Sequence, residues 1–172
     1  MIDTAPPKQT ATSSPGVLGR SWIVPDAAWL IAGINPGANL GSDVYNSGTV
    51  AAAREAAILG CRSLAISQYI ARDEAIDWDI TATHAAPVIA MLLKQVIESG
   101  SYWNVNLPHP LTRRSVPDHI FCDLDIHPHQ YTYRKDGNTF RYVGTIHERP
   151  RTPGRDVAVC FGGAVSITRL SL

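Results

Sequence analysis

The 172-residue chain is poor in charge, in cysteine and in long apolar runs. Charged residues make up 17% of it, below the usual quarter, while hydrophobic residues reach 45%. That balance excludes a largely disordered chain, which needs high charge and few apolar groups. Fifteen Lys/Arg balance fifteen Asp/Glu, so no global field draws in nucleic acid or an anionic membrane. No apolar run approaches the roughly 18 residues of a transmembrane helix. The opening MIDTAPPKQTATSSPG has no apolar core, which excludes a secretory signal. The three cysteines (Cys61, Cys122, Cys160) form no C-x-x-C pair. They read as reduced thiols of a cytoplasmic protein.

What is present suffices for one domain with a sizeable core. Residues 1–21, rich in Pro, Thr and Ser, predict a loop-like arm, and residues 22–172 a single domain. The run from Ala28 to Ile34 is short and continuously apolar, as in a strand covered on both faces. A Gly/Asn/Pro loop follows, then an Ala-rich helix from Ser47 to Gly60. Ser63–Ser67 predicts a second strand, Asp79–Ser99 a long helix containing Pro87, and Tyr102–Leu107 a third strand. This alternation is the grammar of a parallel sheet covered by helices, an α/β fold.

After Pro108 the pattern turns β-rich. His119–Asp125 alternates with period two. Asp136-Gly137 marks a hairpin between 131–134 and 139–143, and Gly162-Gly163 a second one between 156–161 and 165–170.

The segment Gly33–Thr49, GINPGANLGSDVYNSGT, sits between a buried strand and a helix. It therefore lies at the carboxyl edge of the sheet, where open α/β sheets bind ligands. Ser47-Gly48-Thr49 opens the helix, and free N–H groups there favour an anion such as phosphate. The alternative is a Gly-rich connection whose Ser47 or Thr49 merely caps the helix. The lysine of a P-loop is absent, as is G-x-G-x-x-G spacing.

From Ala32 to Glu55 the chain resembles the signature S-G-I-N-x-G-x-N-L-G-x-D-V-x-Y-S-G-T-V-x-A-A-x-E of the SurE family of metal-dependent phosphatases, the survival protein nucleotidases. Ala65-Ile66-Ser67 is similar to the family's A-[IV]-S strand, and Asn104-Val105-Asn106-Leu107-Pro108 to its N-[VI]-N-[VL]-P. Asp156–Leu170 resembles its D-x-x-A-x-x-x-G-x-[VI]-[SA]-[IV]-T-x-L ending. The resemblance implies a three-layer α/β/α Rossmann-like fold, with a β-rich hairpin extension after residue 108. It implies a phosphoric monoester hydrolase acting on nucleoside monophosphates through metal-activated water. Asn35 is the implied metal ligand, with Mg or Mn as the cation. Asn39, Ser47, Gly48 and Thr49 are implied to hold the phosphate.

The family's N-D-D-G strand, whose aspartates bind the metal, has no counterpart here: the chain contains no Asp-Asp pair. No catalytic residue is identified. The expectation is a SurE-type domain truncated by about seventy residues, with metal binding weak or lost. The alternatives are an inactive fragment or an anion-binding subunit, either self-associating or completed by a separate N-terminal half.

Other groups read more simply. Asp123, Asp125, His127 and His129 share one side of an extended segment, so zinc at His127 and His129 is a weaker alternative to a polar strand face. His84 reads as a satisfied, partly buried histidine. Ser67 lacks a nucleophile arrangement. Trp78 and Trp103 read as core aromatics. Arg113, Arg114 and Arg149–Arg155 read as solvated loop charges, with phosphate contact as the alternative.

Overall fold

The structure, a computed structural model, describes residues 26–71, 74–128, 132–143 and 146–172. The expected arm at 1–21, and His129, lie outside these residues. Strand β1 (Trp29–Pro36), helix α1 (Gly48–Ile58), strand β2 (Arg62–Gln68), helix α2 (Trp78–Leu92) and strand β3 (Ser101–Leu107) follow the expected alternation. β1, β2 and β3 run parallel. The chain then adds β4 (His119–Phe121), a hairpin of β5 (Tyr133–Asp136) and β6 (Thr139–Tyr142), helix α3 (Asp156–Phe161) and strand β7 (Val165–Ser171). β7 pairs antiparallel to β3 and β4 parallel to β7, giving the sheet order β1-β2-β3-β7-β4. The fold is an α/β sheet dominated by parallel strands.

Side-chain alternation divides the core between the two faces of this sheet. On one face Leu64, Ile66, Trp103, Val105, Leu107, Val165 and Ile167 pack on Ala85, Val88 and Leu92 of α2. On the other, Ala65, Tyr102 and Leu170 pack on Val50, Ala53 and Ala57 of α1. The small α1 side chains let that helix lie close to the sheet. A third cluster joins Leu40 and Tyr69 to Val157 and Cys160 of α3.

Local chemistry sets the helix limits. Ser47 caps α1, its Oγ accepting from Val50 N–H at 3.2 Å. Asp77 caps α2, accepting from the N–H groups of Asp79 and Ile80 at 3.1 Å each. Pro87 lies well inside α2, where it has no N–H to give the preceding turn. α2 ends at Leu92 rather than Ser99, and Val96, beyond its end, is 96% exposed.

Two expectations in the second half are corrected. Residues 156–161 are helical, so 156–170 is a helix–strand unit and not a hairpin. Short apolar runs do not separate strand from helix by periodicity. Here the Asp156 carboxylate accepts Val157 N–H at 2.9 Å, and Gly162 follows the last helical residue. The alternation read over 119–125 yields pairing only for His119–Phe121. Cys122 N–H still bonds Ile167 C=O of β7 at 3.0 Å, and the next residue turns to α3, its C=O accepting Asp156 N–H at 3.0 Å. The β5–β6 hairpin forms as expected, with Gly137 in the left-handed region at its turn.

Candidate functional site

The carboxyl ends of the three parallel strands present one polar row. Asn35 lies opposite Ser67 and Ser67 opposite Asn106, and the antiparallel neighbour continues the row with Ser166. Apart from Asn35, which is half-buried, these side chains are fully buried. Buried polar groups usually have partners, and for Ser67 and Asn106 these come from the Gly-rich loop, while Ser166 Oγ has none among the described residues. Asn106 Oδ1 accepts Asn39 N–H at 2.7 Å, and Asn106 Nδ2 donates to Asn39 C=O at 3.1 Å. Asn104 Nδ2 donates to the same carbonyl at 2.9 Å, and Asn39 Nδ2 donates to Ser67 Oγ at 2.7 Å. The N-x-N of β3 is thus a clasp for the loop that follows β1.

Asn39 is itself buried, 8% exposed, with one amide hydrogen committed to Ser67. Asn35 curls over the start of the loop, its Nδ2 donating to Gly37 C=O at 2.7 Å and leaving Oδ1 as its acceptor. A 3-10 turn, Gly41–Tyr45, then carries the chain to Ser47. The first-turn N–H groups of α1, at Gly48 and Thr49, have no partner inside the helix. No neighbouring atom lies within 4 Å of where a Gly48 side chain would begin, so the backbone there is open to approach. Ser47 Oγ spends a lone pair on Val50, and its O–H remains able to donate. Asn35 near the end of β1, Asn39 on the loop and Ser47-Gly48-Thr49 at the start of α1 therefore lie along one strand–loop–helix connection, at the carboxyl edge of the parallel strands.

Beneath the loop lies a polar knot that the sequence reading did not assemble. Arg149, read there as a solvated charge, is only 6% exposed. Its Nη1 donates to Asp43 Oδ2 at 2.6 Å and its Nη2 to Leu40 C=O at 2.8 Å. Asp156 is fully buried and accepts Gly41 N–H and Asp125 N–H at 2.7 Å each, besides Val157 N–H. Burial pushes the Asp156 carboxyl up from its ordinary value, against the pull of those three N–H groups and Arg149. Asp125 shifts the other way. Burial opposes its ionisation, yet hydrogen bonds from His127 N–H (3.0 Å), Thr152 N–H (2.6 Å) and the His127 ring together hold it below the ordinary value. The signal available in the sequence was the Asp of the D-x-x-A ending; nothing marked Arg149.

The remaining groups offer less chemistry. All three cysteines are free, and burial raises the thiols of Cys122 and Cys160, so neither is an activated nucleophile. His84 is half-buried and bonded to Thr112 C=O at 2.8 Å. Trp103 is buried and Trp78 half-exposed. Arg113 and Arg114 are exposed. Asp125 and His127 do meet, Oδ1 to Nδ1 at 2.6 Å, but Asp125 is already taken by backbone donors. Among the described residues no group of three or more His, Cys, Asp or Glu side chains is placed to hold a metal. A divalent ion of the Mg type needs several oxygen ligands with carboxylate charge, whereas Asn35 Oδ1 supplies one neutral oxygen. These residues alone do not make a complete cation site. A groove of about 590 Å³ lined by Trp103, Phe121, Cys122, Ile167 and Arg169 includes none of the loop residues. No helix among the described residues is long and apolar enough to cross a membrane.

Parallel strands, an asparagine clasp and an open helix N-terminus define an α/β protein with a Gly-rich loop at its strand ends. Comparison with known proteins gives the family. The profile of the survival protein SurE family matches residues 9–127, and the chain belongs to that family. It is 46% identical over 148 residues to a Nostoc sp. protein carrying a provisional 5'-nucleotidase name, covering 86% of this chain and 66% of that one. It is 30% identical over 164 residues to the 5'-nucleotidase SurE of Brucella canis, covering 91% and 64%. The crystal structure of the SurE protein from Aquifex aeolicus superposes with a TM-score of 0.73 at 26% identity, covering 93% of this chain and 67% of that one. The chain thus spans about two thirds of the length of these relatives.

Proposed function

We propose that the chain is a SurE-type phosphomonoesterase domain of the 5'-nucleotidase class, binding nucleoside monophosphates through its Gly-rich loop. The observation that carries this is the open N-terminus of α1. Gly48 faces free space at the carboxyl edge of three parallel strands, in a chain whose relatives carry 5'-nucleotidase names. In this reading the N–H groups of Gly48 and Thr49, the Ser47 and Thr49 hydroxyls and Asn39 hold the phosphate oxygens. Asn35 Oδ1 points to a divalent cation, Mg or Mn, as one of several oxygen ligands. Such a cation, when bound, supplies charge neutralisation at the phosphoryl group. The described residues offer it no cluster of three or more carboxylate, histidine or cysteine ligands.

That lack favours a second reading. The chain binds the phosphate group of the nucleotide, and hydrolysis of the ester requires acidic ligands supplied by another polypeptide. One assay separates the two. Purified chain is tested for phosphate release from a nucleoside monophosphate with Mg or Mn present, beside the Asn35→Ala variant. Release well above the variant supports the hydrolase. Release equal to the variant, together with phosphate binding, supports the binding subunit. The free cysteines fit a reducing, cytoplasmic setting.

A further inference from the structure

We propose that Asp156 and Arg149 are positioning residues that clamp the loop from behind and thereby set where the phosphate-binding N–H groups of α1 stand. This rests on the reading that Ser47-Gly48-Thr49 receives phosphate.

The argument begins with a cost. A buried carboxylate and a buried guanidinium each lose hydration, and an ion pair recovers that loss only with near-complete hydrogen bonding. Asp156 is fully buried and Arg149 6% exposed, and neither is placed to pair mainly with the other. Their bonds go to the loop instead. Asp156 takes Gly41 N–H, and Arg149 takes Leu40 C=O and Asp43 Oδ2, so three of four consecutive residues are fixed. Removing Asp156 leaves the buried N–H groups of Gly41 and Asp125 without that acceptor, which is the expensive outcome, and removing Arg149 takes from Leu40 C=O one of its two donors, the other being Asp43 N–H.

The loop is shaped to accept this clamp. Gly41 has φ +52, and a Cβ there would lie 2.6 Å from Arg149 Nη2 and 2.9 Å from Asp125 C=O. Only a residue without a side chain lets the Arg149 fork and the Asp125 backbone pass so close. Asp125 N–H also bonds Asp156, so the segment after β4 is locked into the same knot. From Asp43 the path to the helix is short and stiff. Asn46 N–H bonds Asp43 C=O at 3.1 Å, and the next residue is the Ser47 cap. A shift at Asp43 is therefore carried to the first turn of α1.

Two other roles for Arg149 fail on the same geometry. A solvated charge would be exposed. A phosphate ligand would direct its fork outward, whereas both nitrogens are spent on the loop's underside.

The test uses two mild variants of the full chain. Asp156→Asn keeps the shape but turns one acceptor into a donor, and Arg149→Lys keeps the charge but loses the fork. Backbone amide exchange is followed by NMR, and inorganic phosphate is titrated while the α1 first-turn amides are observed. The clamp predicts that Gly41 and Asn46 amides exchange about tenfold faster in both variants and that phosphate binding weakens about tenfold, the loss of roughly one buried hydrogen bond. The amides of β2 and β3 keep their protection. Loop protection equal to wild type, or protection lost uniformly through the sheet, overturns the clamp. Variants that bind phosphate as the parent does overturn it as well. A parent chain whose amides ignore phosphate instead overturns the phosphate reading, and with it the claim that the clamp positions a phosphate site, while loop exchange still reports whether the clamp holds the loop.

Discussion

Asn106 grips both sides of Asn39: its Oδ1 accepts the Asn39 N–H at 2.7 Å and its Nδ2 donates to the Asn39 carbonyl at 3.1 Å. The two residues are 67 positions apart, and the pair pins the loop to the middle of the sheet. A side-chain amide presents one donor and one acceptor in a plane, which matches a peptide group as a neighbouring strand would.

The clasp gives an ordered prediction. Asn106→Leu orphans the buried Asn39 N–H and should destabilise the fold by about 1–3 kcal/mol. Asn104→Leu should cost less, because the Asn39 carbonyl keeps its bond from Asn106. Urea unfolding of the two variants checks the order, and a larger loss for Asn104→Leu would refute the clasp.

Gly41→Ala should destabilise by about 2 kcal/mol or more, since left-handed strain alone costs about 1–3 kcal/mol and the new Cβ also meets Arg149 and Asp125. Gly60→Ala serves as the control. Gly60 has φ +74 with open space around it, so it bears the strain without the clash. Equal losses at the two positions would show that Gly41 is not packed as described.

Acid should act through Asp125. Its folded carboxyl titrates below the ordinary aspartate value of 3.8, so its contribution is complete above that value and fades as pH falls through the folded value. Asp156, raised on folding, runs oppositely and favours the folded state as it gains its proton. The stability gap between wild type and Asp125→Asn should therefore be wide at pH 7 and narrow below about pH 4. Urea midpoints at the two pH values measure it; a gap that widens in acid contradicts the assignment.

Much of the site was legible from the residues alone. Ser47 before an Ala-rich run announced the α1 cap, and short apolar segments at 63–67 and 102–107 announced buried parallel strands, whereas the segment at 28–34, read as covered on both faces, is an edge strand with Ile31 43% exposed, because no strand among the described residues lies on its outer side. The Gly-rich connection between strand and helix announced the loop at the carboxyl edge of the sheet. Asn104 and Asn106 were visible as a motif but not as a clasp, because nothing local says what an asparagine in a strand will bond. The reading of 156–161 as a strand failed because six apolar-rich residues satisfy either period, and the deciding contact, Asp156 to Gly41, spans 115 positions.

The sequence by itself determined the strand–helix alternation, the loop with its helix cap, the family and the lack of an Asp-Asp pair. These follow from local periodicity, local capping chemistry and the order of residue types. Only the tertiary structure decided that Arg149 is buried, that the Asp125 carboxyl is shifted below its ordinary value and the Asp156 carboxyl above it, and that the low charge content includes a hydrogen-bonded knot beneath the loop. Charge counts register how many ionisable groups a chain has. Where they lose water and which backbone groups they meet depends on topology, which brings residues 123–127 and 149–157 under a loop formed a hundred positions earlier.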